Sequence, residues 1–93
     1  MDYVVRPGIV CTAVCGATVL IPTRSVFPEV NRILRLSTME SIVWSAVEKD
    51  LPIEELLKVF QIFYKKPDAE IRERIEKICS ALCRHGYLLP RGQ

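Results

Sequence analysis

Four cysteines and a single histidine are the side chains of this 93-residue chain with the most obvious chemical potential. Cys11-x-x-x-Cys15 and Cys79-x-x-x-Cys83 together offer four thiolates, the donor set of a tetrahedral zinc centre. The spacing argues against that use. Cys79 and Cys83 lie one helical turn apart and are close enough to share an ion. Cys11 and Cys15 on one strand stand ~13 Å apart and cannot converge on it. Paired zinc-ribbon cysteines also have two residues between them, not three. The four thiols therefore read as small apolar packing groups, with no metal and no cofactor. His85 falls in the last turn of a helix, where an imidazole complements the negative dipole end. No carboxylate pair, glycine-rich phosphate loop or nucleophile–base arrangement can be assembled, so the chain is expected not to be an enzyme.

Composition narrows the alternatives. Lys and Arg number 13 against 11 Asp and Glu, for a net charge of +2, which is too balanced for a dense nucleic-acid footprint. Hydrophobic residues make up 49% of the chain, and the mean hydropathy of +0.19 is high for a small domain. A surplus of apolar surface is thus expected to face a partner. The longest apolar run, Ile9 to Ile21, contains Thr12, Gly16 and Thr18 and falls short of the ~20 residues a bilayer requires. Asp2 stands where a secretory signal would be basic. A cytoplasmic protein of one domain, residues 1–93 with an ordered core at 4–89, is the expectation.

The first third of the chain is rich in β-branched residues: Ile9, Val10, Val14, Val19 and Ile21 flank Cys15-Gly16, the place for a hairpin turn. Nearly every position of this hairpin is apolar, so both faces call for cover, and a homodimer through the hairpin would supply it. Pro22 to Glu29 reads as a loop. Val30 to Leu36 reads as a third strand, and its two arginines suit a sheet edge. Ser37 then opens a helix, with Glu40 completing a capping box. Met39, Ile42, Val43, Ala46 and Val47 form its apolar stripe. A second helix begins at Pro52 and buries Ile53, Leu56, Leu57, Phe60 and Phe63. A third begins at Asp68, buries Ile71, Ile75, Ile78 and Leu82, and stops at Gly86. Tyr87-Leu88-Leu89 packs back on the core, and residues 91–93 fray. Trp44 lies off its helix's stripe, which leaves it either half-buried or part of an association surface. The fold class is α+β: a small winged-helix-like domain with an N-terminal three-stranded antiparallel sheet followed by three helices.

That order carries a family resemblance. Its pieces are Arg6-Pro7-Gly8-Ile9, the hairpin ending Val19-Leu20-Ile21, and Leu36-Ser37 leading into Ile42-Val43-Trp44. Pro52-Ile53-Glu54-Glu55-Leu56 follows, and then the helix ending Leu82-Cys83-Arg84-His85-Gly86-Tyr87-Leu88. The chain resembles the PqqD-like proteins, also called RiPP recognition elements, which bind the leader of a ribosomally made precursor peptide. It departs from them in a longer, proline-richer 22–29 link and in its four cysteines.

The resemblance implies a stand-alone module that docks the leader on its third strand against its third helix and presents it to a modifying enzyme, chiefly a radical S-adenosylmethionine enzyme. The strand would be Asn31, Arg32, Ile33, Leu34, Arg35 and Leu36. Ile71, Ile75, Ile78 and Leu82 would floor the groove, with Arg72, Arg74 and Lys77 at its lip facing Arg32 and Arg35. Such cations would steer an acidic leader more than hold it. Beside this stands a plainer reading, in which the four apolar residues are core and the cations, alternating with Glu70, Glu73 and Glu76, form a solvated face. The alternative function is a small winged-helix DNA-binding protein reading with the third helix. The glutamates on that helix would repel phosphates.

Overall fold

The computed structural model describes residues 1–92. The elements run β1 (Tyr3–Val5), β2 (Ile9–Val14), β3 (Ala17–Pro22), β4 (Leu34–Leu36), α1 (Thr38–Glu48), α2 (Ile53–Tyr64), α3 (Asp68–Arg84) and β5 (Leu88–Pro90). Strands β2, β3 and β4 make an antiparallel sheet in that order, and β1 pairs antiparallel with β5 in a second, two-stranded sheet. The α+β expectation of a three-stranded sheet followed by three helices is met. The β1–β5 ribbon is additional to it.

The β2–β3 hairpin closes at Val14 opposite Ala17, with Cys15 (φ 51°) and Gly16 (φ 79°) as a two-residue turn. Positive φ at both positions is the signature of the turn whose twist matches the flanking strands. Helix α1 starts as its sequence signals: the Ser37 side chain accepts from the Glu40 amide, and the Glu40 carboxylate accepts from the Ser37 amide. It ends with Asp50 at φ 52°, where the Asp50 amide bonds Val47 and the Leu51 amide bonds Ala46. Helix α3 ends the same way on Gly86 (φ 89°), with the Gly86 amide on Cys83 and the Tyr87 amide on Leu82. A side chain at Gly86 would meet Val30 at 2.8 Å. That glycine therefore fixes how closely the segment before β4 approaches the end of α3.

The core joins Leu20 and Leu36 of the sheet to Val43, Trp44 and Val47 of α1, Leu56 and Phe60 of α2, Ile71, Ile75, Cys79 and Leu82 of α3, and Leu88 of β5. The α1 stripe is as expected, with Met39 and Ile42 at its partly buried margin. Trp44, which the sequence left open, is 1% exposed, and its indole N–H has no partner among the described residues. The α2 stripe needs one correction. Phe63 is 66% exposed, because the buried row of α2 is Leu56, Leu57 and Phe60, and the residue one turn beyond Phe60 is Tyr64, whose 36% exposed ring packs on Phe60 at 5.7 Å. Val59 and Ile62 join Phe63 on the outward face.

Two loops are better anchored than expected. Val26 and Val30 of the 23–33 link are each 3% exposed and belong to the core. Arg91 is tied down by its amide on Asp2, its side chain on the Met1 carbonyl, and an ion pair with Asp50, so it does not fray. Gln93 lies outside the described residues.

Candidate functional site

Among the described residues, strand β4 has one partner, β3. Its register against β3 sets Leu36 opposite Thr18, Arg35 opposite Val19 and Leu34 opposite Leu20. The direction of each amide follows from the hairpin. The Thr23 N–H donates to the Gly8 carbonyl at 2.9 Å, while Pro22, which has no N–H, sits opposite Ile9. Hydrogen-bonded and non-bonded pairs alternate in an antiparallel ladder. Thus β3 turns Ala17, Val19 and Ile21 toward β2, and Thr18 and Leu20 toward β4. Leu34 and Leu36 therefore spend their amides on β3. Arg35 turns its N–H and C=O outward, to an edge that no strand covers among the described residues.

This edge is shorter than the expected Asn31–Leu36, since only Leu34–Leu36 is strand. The reason is a clamp just upstream. Val30 is buried, and the Tyr87 hydroxyl donates to the Arg32 carbonyl at 2.6 Å, which draws that carbonyl away from the ladder. Burial raises the Tyr87 pKa against the opposing pull of Arg32, so the hydroxyl keeps the proton it donates. Asn31, Arg32 and Ile33 are exposed.

Beside this segment lies a hollow of about 430 Å³ lined by Glu29 to Leu34 and by Arg84, His85 and Tyr87. A second, smaller hollow of about 120 Å³ is lined by Met39, Tyr64, Lys66, Glu70, Ile71 and Arg74. The first joins the approach to β4 to the end of α3, and the second joins the start of α1 to the first half of α3. The run from Asn31 to Met39 therefore travels antiparallel to α3. Arg74, Ile78, Ala81 and His85, at i, i+4, i+7 and i+11, share the α3 face between the two hollows. Ile78 and Ala81 on it are half-buried.

The structure sorts the remaining site residues unevenly. Ile71, Ile75 and Leu82 are at most 3% exposed and are spent in the core, although Ile71 borders the smaller hollow. The five cations do not ring one groove. Arg32 lines the larger hollow and Arg74 the smaller. Arg72 faces Tyr3 and Ile53 on the far side of α3. Arg35 lines a cleft with Thr18 and Ser37. Lys77 pairs with Glu73 at 3.4 Å. Successive helical residues step by about 100°, so Arg72 and Arg74 point apart. Arg84, His85 and Tyr87, which the sequence reading assigned to capping and packing, instead complete the larger hollow. Their signal was Gly86, because the reversal it permits carries Tyr87 back toward residue 32.

The cysteines are free thiols: Cys79 is buried, Cys11 and Cys83 half-buried, Cys15 exposed at the hairpin turn. Burial, reinforced by Glu76, pushes the Cys79 thiol from 9.0 to about 12. As pH rises past 9.0 the unfolded chain loses this proton first. Stability from the neutral buried thiol is therefore complete below that pH and is lost on the way to about 12. Denaturation midpoints of wild type should fall through this window more steeply than those of Cys79→Ala, and parallel curves would refute the assignment. Alkylation of the native protein near neutrality should modify Cys15 and spare Cys79.

No protein-family model and no curated protein matches this sequence. Among solved structures the chain is similar to TbiB1, whose structure was determined in complex with the TbiA(beta) leader peptide. The two share 17% sequence identity and superpose with a TM-score of 0.75 over 97% of this chain and 96% of TbiB1. No helix among the described residues is long and apolar enough to cross a membrane. The resemblance read from the sequence is thus borne out in the fold, which is that of the leader-bound TbiB1 over nearly the whole chain.

Proposed function

We propose that this protein is a non-catalytic recognition module that binds the leader of a ribosomally synthesised precursor peptide and presents it to a separate modifying enzyme. One observation carries the reading: among the described residues β4 pairs on one side only, and its open edge runs beside a hollow closed by the end of α3. An extended peptide added to that edge satisfies the outward amide and carbonyl of Arg35. Its alternate side chains enter the space between β4 and the Ile78–Ala81 face of α3. The fold shared with leader-bound TbiB1 supports the same occupant. Ile33, which is 67% exposed, adds apolar surface at the approach to β4.

Docking the leader raises the effective concentration of the rest of the precursor near the enzyme's active site. The family resemblance favours a radical S-adenosylmethionine enzyme as recipient, and four free thiols suit a reducing cytoplasm. The test is a calorimetric titration of the full chain with the leader of a precursor encoded beside it. Saturable binding of one leader per chain is expected, and absence of binding would refute the reading.

The cations at the larger hollow, Arg32 and Arg84, sharpen it. Changing both to Glu should slow association with an acidic leader roughly tenfold at low salt and leave dissociation nearly unchanged. An unaltered association rate would remove steering from the account.

A further inference from the structure

Strand β2 presents a second edge that no strand covers among the described residues, on the opposite side of the sheet from β4. By the ladder alternation above, Val10, Thr12 and Val14 turn their amides to β3, and Cys11 and Ala13 turn theirs outward, while the Ile9 amide is spent on the Arg6 carbonyl at 3.3 Å. This edge differs from β4 in every property that selects an occupant. It is six residues long against three. It contains no charge and no proline, and its register against β3 is one-to-one with no bulge. Edges that must stay single are normally protected by one of those devices. Val10 and Val14 are 47% and 49% exposed, and Thr12 between them is exposed as well.

We infer that the β2 edge pairs with the β2 edge of a second copy, joining two three-stranded sheets into one of six strands. Charge argues for this occupant. An acidic peptide is drawn to Arg32 and Arg84, whereas an uncharged strand meets no repulsion from its own copy. Symmetry argues for it too. Pairing β2 with β2 is self-complementary and closes as a two-fold dimer, whereas β2 against β4 would propagate without end. A two-fold axis perpendicular to the sheet requires opposed residue numbers to sum to an even value. Centring the strand places Thr12 opposite the partner's Thr12 and Val10 opposite the partner's Val14. Cys11 and Ala13 then exchange hydrogen bonds with the partner's Ala13 and Cys11. Both β4 edges stay open at the far ends of the sheet, so the dimer keeps two copies of the candidate peptide site.

Light scattering of the full chain over a dilution series tests this. A mass twice 10.6 kDa is expected at the concentrated end. Thr12→Lys, which sets two ammonium groups face to face on an exposed position, should return the mass to a single copy with an unchanged circular dichroism spectrum. Thr12 pairs without mutual hydrogen bonds, at a Cα separation of about 4.5 Å that a disulfide can span. Thr12→Cys in a Cys15→Ser background should therefore cross-link into a dimer on mild oxidation, while Cys15→Ser alone should not. A single-copy mass for wild type at every concentration would overturn the proposal. So would a dimer that survives Thr12→Lys but is dispersed by Phe63→Lys, which would place the interface on α2.

Discussion

Arg35→Pro is expected to weaken leader binding by about tenfold or more while leaving the domain folded, and Arg35→Ala is expected to cost far less. Proline removes the one N–H that β4 turns outward within its strand. Its ring also occupies the space through which an added strand must approach. Loss of a single hydrogen bond is worth roughly 1 kcal/mol, and the steric obstruction adds to it. Because the Arg35 amide makes no bond to β3, the sheet does not lose a rung. Leu34→Pro is the internal contrast: that amide is spent on β3, so the substitution should destabilise the β3–β4 pairing itself and lower the melting temperature. Titration of both variants, with thermal denaturation alongside, separates the two effects. Full affinity in Arg35→Pro would move the peptide away from this edge.

The second large effect is on stability. Phe60 is 0% exposed and Phe63 is 66% exposed, three residues apart on one helix. Phe60→Ala should cost about 3–5 kcal/mol, since it removes a buried ring and leaves a cavity among Leu56, Tyr64 and the α3 face. Phe63→Ala should change stability by less than ~0.5 kcal/mol. Chemical denaturation reads both, and equal losses would mean that α2 is rotated from the orientation described.

That pair also marks where sequence legibility stops. The α2 segment is apolar nearly all round, with Val59, Ile62 and Phe63 as hydrophobic as the residues it buries. Periodicity identifies the helix but not its phase. Where a local chemical signal exists, the reading holds to the residue. The Ser37–Glu40 box opens α1, Pro67 precedes α3, Cys15-Gly16 turns the hairpin, and Gly86 ends α3. The β1–β5 ribbon had no such signal, because it joins Tyr3 to Pro90 through three-residue strands at opposite ends of the chain.

The candidate site was legible in outline and not in detail. That a short, arginine-bearing strand after the hairpin lies at a sheet edge follows from its composition. That only Arg35 within it offers an outward amide follows from the β2–β3 register, which no residue type announces. The proposed ring of five cations assumed one face for Arg72, Arg74 and Lys77, and helical geometry disperses them. The Tyr87 hydroxyl that shapes the approach to β4 is a contact between residues 55 apart in sequence, so it emerges only once α3 has turned back at Gly86.

Amide hydrogen exchange, residue by residue, tests the central claim most directly. Without peptide, the Arg35 amide should exchange freely while Leu34 and Leu36, bonded to β3, are protected. Saturating leader should protect Arg35 and leave the outward amides of β2 as they were. An Arg35 amide that is already protected in the free protein, or that stays unprotected in the complex, would contradict peptide addition at β4.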